Sequence, residues 1–281
     1  KLYVMNVTKY SGEQTHFDET IFKRSLFKSG ASDEQVNLVF NEVMEKMYDG
    51  IATRELYQLA FTELHKIKNS FAARYSLKRA LRDLGPEGYY FEKWVAKIFQ
   101  QLGYNSTTSK TLQGNAVTHE IDVLAERNGE FNLCECKFRN DEDAKISVTT
   151  PMYFLSRFND LRNNEYDFFG KIMKPKYGWL ITNAYFTSDS VAFSKHYDIN
   201  ILSWDYPAGS SLKNITDNMR LYPITCLTSL TTDEKKFLLS KNVVLVNDIY
   251  TNPKKLDDIK CSSLKLEEIL NEAKELVDSN E

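Results

Sequence analysis

The chain has 281 residues, a length that suggests about two domains. With 42% hydrophobic and 27% charged residues it can bury ordinary cores, and a net charge of −3 excludes bulk attraction to phosphate, so any nucleic-acid contact must come from local patches. Four cysteines (Cys134, Cys136, Cys226, Cys261) make no disulfide framework, and no stretch approaches the ~18–20 apolar residues that span a bilayer. No apolar N-terminal run precedes a small-residue cleavage site, so a reducing cytoplasmic setting without membrane contact is expected.

The N-terminal region, 1–83, opens on an apolar–polar alternation at Leu2-Tyr3-Val4-Met5-Asn6-Val7 and a turn at Ser11-Gly12. Helical periodicity follows over 17–28, 32–48 and 53–70, with Ser32 as a start signal and Gly50 as a stop. A small α-rich domain is predicted. Basic residues gather between Arg54 and Arg82, including Lys66, Lys68, Arg74, Lys78 and Arg79, which reads either as a binding patch or as a solvated helical face.

Leu84-Gly85-Pro86-Glu87-Gly88 punctuates the chain and marks a candidate boundary. Beyond it, 90–102 is helical, with Phe91, Trp94, Val95, Ile98, Phe99 and Leu102 on one face and Glu92 at its edge. Strand-like runs at 117–125 and 131–138 flank Asn128-Gly129, a hairpin turn signal. A helix over 151–163, a strand over 177–182, a helix over 191–196 and a strand over 199–204 complete an α/β pattern for 84–207. The remainder, 208–281, is predicted as a small helical module with helices over 232–240 and 263–277 and the run 242–246 between them.

Side chains two apart on a strand share a face. Glu120, Asp122 and Leu124 then face one way and His119, Ile121 and Val123 the other; Glu135 and Lys137 share a face with Leu133, opposite Cys134 and Cys136. A closed hairpin would bring two carboxylates and an ammonium together. Such clustering is costly unless the charges are paired or bind something. Asp122 and Glu135 offer the hard oxygens Mg²⁺ or Mn²⁺ prefers, and Lys137 suits a group that orients water or neutralises a phosphoryl centre. The competing reading is a salt-bridged patch on a half-exposed sheet.

Glu120-Ile121-Asp122 followed by Glu135-Cys136-Lys137 resembles the D…ExK core of PD-(D/E)XK nucleases, and more narrowly the Mrr-type restriction endonuclease domain. Phe91 to Phe99 with Gly103-Tyr104 resembles that family's leading helix, and Trp179-Leu180-Ile181-Thr182-Asn183, Phe186-Thr187 and Ile201 to Pro207 resemble its later strands and turn. The resemblance implies a restriction-endonuclease-like mixed sheet flanked by helices and a metal-dependent DNA endonuclease. It implies metal binding by Asp122 and Glu135, Lys137 as base or stabiliser, and Glu92 as a supporting acid.

Residues 1–83 resemble the ATP-cone through Val7-Thr8-Lys9, Gly12, Phe17-Asp18, Ile21 and Ile51 to Leu56, which implies ATP or dATP binding with Lys9 on phosphate. Tyr10 and Thr20 stand where basic residues are usual. Residues 221–249 faintly resemble a helix-hairpin-helix unit, without the glycines that bring its backbone close to DNA. DNA is the expected partner, and a homodimer is expected because cutting both strands with one site per chain favours two chains. The alternative function is a nucleotide-responsive DNA-binding regulator on an inactive nuclease fold.

Overall fold

The computed structural model describes residues 5–9 and 12–278. Leu2 to Val4 of the opening alternation, Ser11 of the expected turn and Tyr10 lie outside them. In chain order the N-terminal part contains strands β1 (Asn6–Thr8) and β2 (Gln14–His16), helices α1 (Glu19–Phe27) and α2 (Asp33–Lys46), strand β3 (Ile51–Ala52), and helices α3 (Thr53–Ile67), α4 (Asn69–Tyr75) and α5 (Leu77–Arg82). The middle contains α6 (Tyr89–Gln101), β4 (Asn105–Gln113), β5 (Thr118–Arg127), β6 (Glu130–Lys137), β7 (Lys145–Ile146), α7 (Thr149–Leu161), β8 (Tyr166–Phe168), β9 (Lys171–Met173), β10 (Pro175–Thr182), β11 (Tyr185–Phe186), α8 (Ser188–His196) and β12 (Asn200–Leu202). Helices α9 (Leu212–Met219), α10 (Thr232–Ser240), α11 (Val246–Thr251) and α12 (Ser263–Val277) close the chain.

By compactness the chain divides into two units, one of residues 1–77, 226–236 and 249–281, the other of residues 78–225 and 237–248. Residues 208–281 are thus shared between the units rather than standing apart as one.

In the first unit β1 pairs antiparallel with β2 and parallel with β3, giving the order β2-β1-β3. Val7 and Ile51 from this sheet join Phe22, Val36, Val43, Leu56, Leu64 and Phe71 in one core. Local chemistry fixes the helix starts: Asp18 accepts from Ile21 N–H, and Ser32 and Gln35 cap one another reciprocally. The helix expected over 53–70 breaks at Lys68, whose backbone is extended, so that α4 starts in a new direction. Within the basic stretch Lys66 pairs with Glu63, Lys68 with Glu275, and Arg74 donates to the Glu275 carbonyl.

In the second unit a five-stranded mixed sheet runs β12-β10-β6-β5-β4. The β4–β5–β6 meander is antiparallel, while β10 and β12 continue parallel to β6. The Asn128-Gly129 turn closes the hairpin with both residues at positive φ (56° and 80°), the requirement of a primed turn. Consecutive residues of β10 show that helices cover both faces. A Cβ on Gly178 would lie 2.9 Å from Phe154 of α7, whereas the next ring, Trp179, meets Phe99 of α6 edge-on at 5.8 Å. The sheet edge β4 carries no sequence signal of its own because Asn105 to Gln113 is polar throughout apart from Leu112.

Candidate active site

The hairpin brings the expected residues together. Asp122 of β5 accepts a 2.6 Å bond from the backbone N–H of Cys136, which ties its carboxylate to β6. Glu135, almost wholly buried, is bonded by Lys137 Nζ at 2.5 Å through Oε1 and by the Arg157 guanidinium of α7 through Oε2. Arg157 also donates to the Glu120 carbonyl. The other oxygen of Asp122 has no hydrogen-bond partner among the described residues.

Strict alternation does not survive around Asp122. Ile121 and Leu124, three apart, both enter the core shared with Leu133 and Phe158, and His119 reaches Asp160 of α7 at 2.8 Å. The predicted separation of His119 and Ile121 from Leu124 is therefore corrected. The ladder pairs Thr108 with Val123 and Lys110 with Ile121, leaving Ser109, at φ +52°, and Asp122 outside the paired register. A break there re-aims the strand, the kind of local irregularity that strand rims place beside functional residues.

Burial pushes the Asp122 carboxyl up to about 6, with the charge of Glu135 adding to it and the Cys136 N–H, Lys137 and Arg157 opposing. Burial likewise lifts Glu92 of α6 to about 7, helped by Asp122, Glu120 and Glu135. Burial is the first cause of both shifts, and the neighbouring carboxylates add to it. Both nearby cations are already committed to Glu135. The donor set therefore fits a divalent cation on Asp122 and Glu135. Among the described residues no group of three or more acidic, His or Cys side chains is arranged to hold a metal ion.

Cys134 and Cys136 are buried, and burial, with the nearby charge of Asp122 adding to it, pushes both thiols well above their usual value. Glu120 is exposed and contributes its carbonyl, not its carboxylate, to Arg157. Lys9 lies in the first unit, ion-paired with Glu13 at 3.0 Å. Arg157 was not singled out by the sequence, yet its signal was legible: it sits at the i+3 position of the apolar stripe Phe154, Phe158, Leu161, where a charge needs a buried partner.

Residues 85–208 match the model of the restriction endonuclease family Mrr_cat, and the mixed α/β sheet flanked by helices in this part of the chain is consistent with a restriction-endonuclease-like fold. Residues 222–277 match the family described as AF1548-like, C-terminal. An uncharacterized protein of Archaeoglobus fulgidus is 29% identical over 184 residues, 65% of this chain and 99% of its own. The crystal structure of the protein of unknown function AF1548 is similar at 28% identity with a TM-score of 0.56, over 67% of this chain and 97% of its own. No helix among the described residues is long and apolar enough to cross a membrane.

Proposed function

We propose that this protein is a divalent-metal-dependent DNA endonuclease of the restriction or defence type. The observation that carries the reading is the meeting of Asp122, Glu135 and Lys137 within a restriction endonuclease domain, at a point where carboxylates outnumber the cations that could neutralise them. Asp122 and Glu135 hold Mg²⁺ or Mn²⁺, which when bound polarises the scissile phosphate and acidifies water. Lys137, fixed by Glu135, orients the attacking water or neutralises charge gathering on the phosphoryl oxygens. Glu92, half-buried with its carboxyl raised to about 7, would serve as the supporting acid. In the hydrolysis a P–O bond forms from water and the bond to the leaving strand oxygen breaks, with that oxygen taking up a proton.

ATP or dATP regulation is part of the proposal. A three-stranded sheet backed by helices and bearing Lys9 supports a nucleotide module in the first unit. The cytoplasm is the proposed setting and a homodimer the proposed assembly. A second reading, a nucleotide-responsive DNA-binding regulator, is favoured by one observation: both oxygens of Glu135 are already occupied by cations. Plasmid cleavage with Mg²⁺ or Mn²⁺, with and without ATP, beside Asp122→Ala separates the two. Cutting that the variant lacks supports the endonuclease, whereas retarded but uncut DNA under every condition supports the regulator.

A further inference from the structure

We propose that Arg157 competes with the divalent cation for Glu135 and thereby sets how much metal the site requires. The inference rests on Asp122 and Glu135 being the metal-holding pair. Arg157 reaches Glu135 from α7, on the face of the sheet that α7 covers, and its side chain is only 13% exposed. Its guanidinium spans two partners: one nitrogen is on Glu135 Oε2, the other on the Glu120 carbonyl of β5, and the Tyr153 ring lies 5.7 Å from its centre.

That arrangement has two consequences. Without metal, Glu135 is buried and needs the charge of Arg157, because Lys137 alone satisfies one oxygen. With metal, the cation would share the Glu135 carboxylate with Lys137 and Arg157, and each positive charge would weaken the hold of the others. Arg157 can yield Glu135 and remain anchored, since the Glu120 carbonyl and the Tyr153 ring hold the guanidinium independently of it. Its positive charge then stays beside the metal and opposes binding. A neutral side chain at 157 removes both the competitor and that repulsion, so metal binding should tighten. A residue of purely structural importance would have the opposite effect, loosening the site and weakening metal binding.

The test is Mn²⁺ binding to the full-length protein by calorimetry, with thermal melting in EDTA and in Mn²⁺, for wild type, Arg157→Met, Arg157→Gln and Arg157→Lys. Arg157→Met is expected to bind Mn²⁺ about tenfold more tightly, as loss of a nearby like charge implies. It should also melt lower than wild type in EDTA and gain more from Mn²⁺. Arg157→Gln, which can still donate to the Glu120 carbonyl, should share the tighter binding and supplies the result should the Met variant fold poorly. Arg157→Lys, which restores the charge, should return affinity towards wild type. The Mn²⁺ concentration giving half-maximal plasmid cleavage should fall in the neutral variants in the same proportion. Unchanged or weaker Mn²⁺ binding in a folded neutral variant overturns the competition. Mn²⁺ binding that is absent in wild type, or that Asp122→Ala leaves untouched, overturns the underlying site reading as well.

Discussion

Three of the buried glutamates in this protein differ in what surrounds them. Glu272 of α12 accepts four hydrogen bonds, from the backbone N–H and hydroxyl of both Thr228 and Ser229. Glu63 of α3 is held by Lys46 at 2.5 Å and Lys66 at 2.8 Å. Glu135 also has two cations, but Asp122 and Glu92 beside it are left short of positive charge and lifted to about 6 and about 7. Burial of a carboxylate is thus no mark of function; an incompletely neutralised group of them is. The first two glutamates build the fold, whereas the third is the one the proposed metal site draws on.

The largest way to break this contrast is Asp122→Ala. Plasmid cleavage should fall about a thousandfold, the scale of losing metal-borne charge stabilisation, while the melting temperature in EDTA stays the same or rises because a crowded carboxylate is gone. Glu272→Ala should do the reverse. It strands buried donors at Thr228 and Ser229, costs about 3 kcal/mol by urea unfolding, and leaves Mn²⁺ binding unaltered.

Glu92 sharpens the contrast through pH. Its folded value is raised from 4.5 to about 7, so the folded protein holds a proton that the unfolded chain releases across that window, and metal-free stability declines as pH rises through it. Melting in EDTA at pH 5 and pH 8 should show this decline, Glu92→Gln should flatten it, and Mn²⁺ should offset it. Glu63 has the opposite sign and the smallest effect. Burial lifts its carboxyl, but the Lys46 and Lys66 bonds outweigh burial and hold it below 4.5. The stability it contributes is present above that value and lost as pH falls through the folded one, so Glu63→Gln should differ from wild type at pH 7 and converge on it in acid.

How much of this was legible follows from which signals are local. Ser32 and Gln35 announce a helix start in four residues, and Asn128-Gly129 announces a hairpin in two; both are built as expected. The meeting of Asp122 with Glu135 and Lys137 follows from that hairpin, which lays β5 beside β6. Strand β4 was missed because an edge strand with little to bury has no hydrophobic pattern. The slip of alternation at Asp122 was missed because it depends on Ser109 across the ladder. Arg157 is twenty-two residues from Glu135, and only a charge standing in an apolar helical stripe hinted at it. Residues 208–281 read as one module because composition changes there, whereas compactness is decided by distant partners.

One such partner is the indole of Trp94, fully buried on α6, which donates to the Leu221 carbonyl at 2.9 Å. The family match ends at 208, thirteen residues short of that acceptor. A gene fragment cut at the family boundary would bury a polar N–H with nothing to receive it, a penalty of about 1–3 kcal/mol on a domain of modest size. Moving this unit into another chain therefore means carrying residues 78–225 together with 237–248.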